Sequence, residues 1–254
     1  MRFSNAIVRL PCKRLADGLS TAGLGKPDHG LAMHQHGKYV EALQDCGLDV
    51  RVLEADENFP DSTFVEDTAL LTPEVAVITC PGAASRKGEI INMKEVIRSY
   101  YDQVEMILHP GTLEAGDVMM AGSHFFIGLS ERTNKEGAEQ LITILERYGM
   151  TGAVVEISGM LHLKSGVSYL ENNVLLTIDA LINHPAFSEY DIIPVPDLEV
   201  YAANSLWING TVLVPEGYPV TLQNIQHAGY DTIVLDMSEF RKLDGGLSCL
   251  SLRF

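Results

Sequence analysis

Paired apolar runs, each pair joined by a short polar turn, recur along the chain and predict hairpins. Asp67-Thr-Ala-Leu-Leu pairs with Val75-Ala-Val-Ile, Asp117-Val-Met-Met with His124-Phe-Phe-Ile, Gly166-Val-Ser-Tyr-Leu with Val174-Leu-Leu-Thr, and Asn204-Ser-Leu-Trp-Ile with Thr211-Val-Leu-Val. Asn209-Gly210, inside the last of these, is the strongest short hairpin signal a sequence carries. A fifth run, Gly246 to Phe254, alternates apolar and polar residues to the C-terminus and reads as a half-buried strand containing Cys249. Chain ends fray unless something ties them down. A patterned strand at the terminus therefore calls for a partner, and Ala6-Ile-Val8 at the other end is the best candidate. The hairpins start at 67, 117, 166, 204 and 246, intervals of 50, 49, 38 and 42 residues, the period of propellers and arrays.

Between hairpins, helical patterns occupy 31–46, 89–101, 134–148 and 221–227, with Asn134 as an N-cap and Gly47, Gly149 and Gly229 as stops. Apolar strands follow at 49–53, 104–108, 154–157 and 232–235. The repeating unit is strand, strand, helix, strand, and five units without a linker predict one domain over 1–254. Unit three is the least regular, because Pro185 breaks its apolar stretch at 178–187.

Charge narrows the function. Eighteen basic residues against 34 acidic ones leave a formal charge of −16, a surface that repels nucleic acid and anionic lipid and favours a small cationic substrate. The four cysteines, Cys12, Cys46, Cys80 and Cys249, lack CxxC or zinc-type spacing, and the N-terminus does not read as a signal peptide. Free thiols, a cytoplasmic location and no membrane span are the expectations, since no apolar run approaches the roughly 18 residues a span requires.

In a ring of repeats, equivalent positions face one hub. The unit entrances carry Glu66-Asp67, Glu114 with Asp117, His162, and Asn204, while the fifth unit holds Cys249 a few residues deeper. Acid, histidine and cysteine brought together suggest nucleophilic catalysis. Each has a plainer reading. A strand cysteine is usually a small buried hydrophobe, a histidine between two leucines is often a satisfied strand residue, and most single arginines are surface residues. Glu66-Asp67 suits a solvated turn or a metal site, although two adjacent acids without further ligands specify no metal.

The ordered set Asp61-Ser-Thr-Phe-Val-Glu66-Asp67, Leu113-Glu114-Ala-Gly-Asp117, Leu161-His162-Leu-Lys and Asp244-Gly-Gly-Leu-Ser-Cys249 resembles the dimethylarginine dimethylaminohydrolases. Asp17-Gly-Leu19, Arg86 and Glu131-Arg132-Thr-Asn extend the resemblance over essentially the whole chain. It implies a five-bladed α/β propeller, closed by the terminal strands, that hydrolyses asymmetric dimethylarginine to citrulline and dimethylamine without cofactor or metal. By the same resemblance Cys249 is the nucleophile, His162 the general acid and base, and Glu114 its orienting acid. Asp61, Glu66 and Asp67 would bind the guanidinium, Arg86 and Arg132 the α-carboxylate, and Leu19 would lie in a lid over 17–28, with Leu243 and Asp244 completing the pocket. A homodimer is a further family expectation.

Two alternatives accompany this reading. Arginine deiminases share the chemistry but carry a large helical insertion for which this chain has no room. Ribosome-associated propeller binding factors lack the catalytic set that is present here, and the acidic charge disfavours RNA. Of the remaining histidines, His29, His34 and His36 crowd the start of the first helix at offsets that do not share one face; they read as solvated. Cys12, Cys46 and Cys80 read as structural.

Overall fold

The middle strand of each hairpin is apolar on both faces, and alternate residues enter two different cores. The structure, a computed structural model, describes residues 2–254. Among them fifteen strands form five three-stranded mixed sheets. β1 (Asn5–Arg9) leads through α1 (His29–Asp45) to β2 (Asp49–Leu53), its parallel neighbour. β3 (Ala69–Leu71) and β4 (Ala76–Ile78) form a hairpin that continues through α2 (Glu89–Ile97) to the parallel β5 (Val104–Met106). The same order recurs in β6 (Val118–Ala121), β7 (His124–Leu129), α3 (Lys135–Arg147) and β8 (Thr151–Glu156).

Unit three comprises β9 (Val167–Tyr169), β10 (Val174–Ile178), the short α4 (Asp179–Ile182) and β11 (Asp191–Val195). The chain continues through β12 (Leu206–Ile208), β13 (Thr211–Pro215), α5 (Pro219–His227), β14 (Asp231–Leu235) and α6 (Ser238–Arg241). It ends in β15 (Leu252–Arg253), which pairs antiparallel to β1 with Ile7 opposite Leu252. The anticipated pairing of the two ends is present. The expected strand over 246–254 is not: a 3-10 turn occupies Ser248–Leu250, and only two residues are strand.

Strand β11 carries no sequence signal that the hairpin pattern caught, because Pro194 interrupts it. It is an edge strand, so a missing N–H costs no ladder bond. The helix ends follow capping chemistry. Asp28 accepts from the Leu31 N–H at 2.8 Å, which starts α1 two residues earlier than the apolar pattern does, and Asn134 accepts from the Gly137 N–H at 2.8 Å.

Apolar residues of consecutive sheets form shared cores. On β4, Val77 enters the core with β6 and β7, while Ala76 and Ile78 enter the core with β1 and β15. On β7, Phe126 faces unit three and Phe125 and Ile127 face β4; on β13, Val212 and Val214 face β10 and Leu213 faces β1. Each sheet thus packs on the next, and the last packs on the first. Burial on both faces explains the nearly continuous apolar runs of the middle strands.

Every hairpin is entered through a 3-10 turn, at Val65–Thr68, Ala115–Asp117, Leu163–Ser165, Asp197–Ala203 and Ser248–Leu250. Turns of neighbouring units pack on one another, and the last packs on the first. Cys249 occupies the fifth of them, three residues before β15, just as Glu66 stands three before β3. It is therefore not deeper than the other entrance residues.

Candidate active site

The entry turns place Cys249, His162, Glu114 and Asp67 around one cleft of about 140 Å³, which also takes in Leu19, Asp61, Arg86, Arg132, Leu243 and Asp244. A smaller cavity of about 60 Å³ adjoins Cys249 and His162 from the other side, bounded by Glu66, Lys164 and Asn204. A separate cavity of about 120 Å³, lined by Tyr169, Trp207 and Arg253, lies beyond Glu66 and Lys164 and does not reach the thiol.

His162 extends from the residue preceding its turn and meets Glu114 from the neighbouring unit, Nε2 to Oε2 at 2.9 Å, with both side chains buried. The other Glu114 oxygen accepts the Ala83 N–H at 3.0 Å, which fixes the carboxylate. Burial alone would lower the imidazole pKa. Asp67, the Glu114 hydrogen bond and the charges of Asp117 and Glu114 outweigh it and raise His162 to about 9. The imidazolium is the resting form at neutral pH.

The thiol is the opposite case. Burial, then Glu66 and Asp67, push Cys249 up to about 12, although a backbone hydrogen bond from Gly246 and the nearby Lys164 pull it down. Cys249 rests as a neutral thiol, and a cation that offsets Glu66 and Asp67 would favour the thiolate.

Asp67 accepts the Gly116 N–H at 2.9 Å and pairs with Arg86 at 2.5 Å. Glu89 grips the same guanidinium twice, at Nε (3.1 Å) and Nη2 (2.8 Å), and Nη2 also donates to the Phe64 carbonyl at 2.8 Å. Of the five N–H groups of Arg86, one on Nη1 is left for a ligand. Arg132 makes no ion pair among the described residues. Asp61 accepts the Leu19 N–H at 3.0 Å, with Gly18 packed so closely that a Cβ there would meet its Oδ1 at 2.6 Å. Asp244, at φ +59°, accepts the Thr21 N–H at 2.5 Å, and Ser20 donates to the Lys242 carbonyl at 2.6 Å. The glycine-rich segment is thereby held down across the cleft.

Glu66, like Asp67 an anticipated ligand of a guanidinium, is also held by the protein. Its Oε1 pairs with Lys164 at 2.6 Å and Arg253 at 3.0 Å, and its Oε2 accepts from Ser248 at 2.7 Å, so its carboxylate is already satisfied by the protein. Asp67, Glu114 and His162 bring ligand-capable atoms within 4.8 Å of one another, the third group that adjacency of Glu66 and Asp67 did not reveal. Their carboxylate oxygens are occupied by Arg86, His162 and two backbone N–H groups, and within the cluster only His162 and Glu114 are bonded to each other. His36, expected in solvent, is buried with an unpartnered Nε2, and burial lowers it to about 4. His29 bonds the Pro11 carbonyl at 3.1 Å.

A family model described as "N,N dimethylarginine dimethylhydrolase, eukaryotic" matches residues 26–178. The N(G),N(G)-dimethylarginine dimethylaminohydrolase of Pseudomonas aeruginosa is 50% identical over 253 residues, 99% of this chain and 100% of that protein. The chain belongs to the dimethylarginine dimethylaminohydrolase family. The P. aeruginosa enzyme solved as a cysteine-to-serine variant complexed with citrulline superposes with a TM-score of 0.99 at 49% identity, covering 100% of both chains. A histidine-to-glycine variant of a dimethylarginine dimethylaminohydrolase, an adduct with S-methyl-L-thiocitrulline, gives a TM-score of 0.98 at 50% identity over 99% of this chain and 100% of that one. The N-terminal domain of a cyanobacterial arginine dihydrolase, ArgZ, shares the fold at 18% identity, with a TM-score of 0.89 over 98% of this chain and 97% of that one. No helix among the described residues is long and apolar enough to cross a membrane.

For a member of this family, sequence reading missed Glu89. The signal available was its position three residues after Arg86 at the start of a helix, where a side chain meets its neighbour's. Glu89→Gln keeps the shape and removes the charge that holds the Arg86 fork. The expected result is KM raised about 5- to 20-fold with kcat within about 2-fold, because the resemblance assigns Arg86 to the α-carboxylate, remote from the reacting carbon. Steady-state citrulline kinetics check it, and a loss confined to kcat would contradict it.

Proposed function

We propose that this protein hydrolyses asymmetric dimethylarginine and monomethylarginine to citrulline and the free methylamine, through a thiouronium intermediate on Cys249. The observation that carries the reading is one cleft holding Cys249, the His162–Glu114 pair and the carboxylates of Asp61 and Asp67, in a chain 50% identical to a named dimethylaminohydrolase along its length.

The guanidinium enters beside Glu66 and Asp67, whose charges add to burial in keeping the empty-site thiol protonated; its positive charge offsets theirs, and the thiol proton passes to water to leave the thiolate. Cys249 Sγ attacks the guanidino carbon, and the tetrahedral adduct expels dimethylamine, which takes its proton from His162. The imidazole, now neutral, removes a proton from water. Hydroxide adds to the thiouronium carbon, and the adduct collapses with loss of its hydroxyl proton to water, which returns the thiolate and releases citrulline. Glu114 orients the ring and steadies its charged form. Lying among Leu19, Arg86 and Arg132, Asp61 suits the substrate's α-ammonium better than its guanidinium. Arg86 and Arg132 take the α-carboxylate, Leu19 and Asp244 close the lid side, and Leu243 walls the pocket. Glu66 acts as its charged floor.

The five sheets are read as blades of a five-bladed α/β propeller forming one catalytic domain, supported by the cyclic packing of sheets and entry turns. A domain as short as that of ArgZ carries the same fold, so lack of room for a helical insertion does not by itself exclude arginine as substrate. Substrate choice decides between the readings. Dimethylation removes both N–H groups of one terminal nitrogen, and a site built for arginine would strand an acceptor there at a cost of about 1–3 kcal/mol. Citrulline release from asymmetric dimethylarginine, monomethylarginine, arginine and symmetric dimethylarginine at equal low concentration is expected to favour the first two. If arginine is turned over fastest, the protein is a deiminase.

A further inference from the structure

Asn204, which the sequence placed at an entrance without a role, completes a repeated device. Asp67 stands two residues before β3, Asp117 one before β6, and Asn204 two before β12. Each offers a side-chain oxygen to a backbone N–H in the entry turn of the next unit. Asp67 Oδ1 accepts from Gly116 at 2.9 Å, Asp117 Oδ1 from Leu163 at 3.0 Å, and Asn204 Oδ1 from Ser248 at 2.9 Å. The two remaining junctions use serine hydroxyls instead, Ser168 to the Ala203 carbonyl and Ser248 to Glu66.

The chemistry of the clamp changes with the group it serves. Two carboxylate clamps surround His162, whose working form is a cation. The amide clamp holds the turn of Cys249, whose working form is an anion. Asn204 also donates through Nδ2 to the Ser248 hydroxyl at 3.0 Å and to the Lys164 carbonyl at 2.9 Å, and it is buried. Gly246 packs directly on it, since a Cβ there would meet Asn204 Oδ1 at 2.5 Å. Cys249 already faces the carboxylates of Glu66 and Asp67 from the first unit, balanced by Lys164 and His162 from the third. Asp61, Arg86, Glu114, Arg132, Tyr201 and Asp244 are the other titratable groups that line the two cavities at the thiol. Another carboxylate at 204 would oppose the thiolate further.

We propose that Asn204 is a positioning residue for Cys249, fixing the nucleophile's turn as an aspartate would while adding no negative charge beside the thiolate. The inference rests on Cys249 being the nucleophile. Its test measures kcat and KM for citrulline formation, and the pH midpoint of Cys249 alkylation by iodoacetamide read on the tryptic peptide 243–253. In Asn204→Ala the turn loosens, and kcat is expected to fall about 100-fold with KM within about 3-fold, the scale of a small misplacement of a reacting atom. Its alkylation midpoint should stay at the wild-type value. In Asn204→Asp the midpoint should move upward. Gly246→Ala should reproduce the kcat loss by pushing on the amide, and combining it with Asn204→Ala should cost no more than either change alone. Should Asn204→Ala fail to fold, Gly246→Ala and Asn204→Asp still decide the matter. Turnover of Asn204→Ala within about 2-fold of wild type, a wild-type midpoint in Asn204→Asp, or independent multiplying losses would overturn the inference. Cys249→Ser separates the two failures: if it stays active, the nucleophile assignment is wrong, and if it is dead while the Asn204 variants are normal, only the clamp is wrong.

Discussion

Cys249→Ser is expected to fold normally and to lose citrulline formation by at least about 1,000-fold. The side chain sits in a 3-10 turn whose backbone is held by Asn204 and whose neighbour Ser248 bonds Glu66, so exchange of sulfur for oxygen leaves the supports in place. What it removes is the acidity. Burial with Glu66 and Asp67 already raises the thiol to about 12, and the bound guanidinium must bring it down; a serine hydroxyl starts several orders of magnitude further away. Cys12, Cys46 and Cys80 supply the contrast. Cys12 is fully buried with its Sγ 3.8 Å from the Phe59 and Pro60 carbonyls, and Cys80 sits at an isolated bridge to Leu113. Alanine at any of the three should leave kcat within about 3-fold. A Cys249→Ser enzyme retaining a tenth of wild-type turnover would remove the cysteine from the mechanism.

The second large effect is that of His162→Gly. Turnover should fall at least about 100-fold, because the departing amine loses its proton source and the water loses its base. The same substitution should alter stability in a way that only the charged imidazole explains. His162 titrates near 9 in the folded protein against 6.5 unperturbed, so its contribution is fully present below 6.5 and is lost as pH rises through about 9. The stabilisation is roughly 3 kcal/mol at most. Urea denaturation at a series of pH values should show wild type losing stability between 6.5 and 9 relative to His162→Gly. Parallel curves for the two proteins would show that the imidazole is not held charged.

The repeats were legible because both faces of each middle strand are buried, which turns Val75 to Ile78 and Thr211 to Val214 into unmistakable apolar runs between turn residues. Helix ends were legible through Asn134 and the stop glycines. The last strand was overextended, since alternation over 246–254 mimics β structure while Asn204 and Glu66, distant in sequence, hold residues 248–250 in a turn. Strand β11 escaped because its proline sits on an edge. At the site, Cys249, His162, Glu114, Asp61 and Asp67 line one cleft. Nothing local shows that Glu66 also pairs with Lys164 and Arg253, about 100 and 190 residues away. Glu89 and Asn204 were not assigned roles for a related reason: each acts through another residue's geometry, which pattern does not display.

The covalent intermediate is the central claim, and His162→Gly is the variant in which it should persist if the first step still proceeds. Protein acid-quenched after mixing with asymmetric dimethylarginine and digested with trypsin should yield peptide 243–253 carrying, on Cys249, the mass of the substrate less dimethylamine. An unmodified peptide in a sample that is still releasing citrulline would contradict the mechanism.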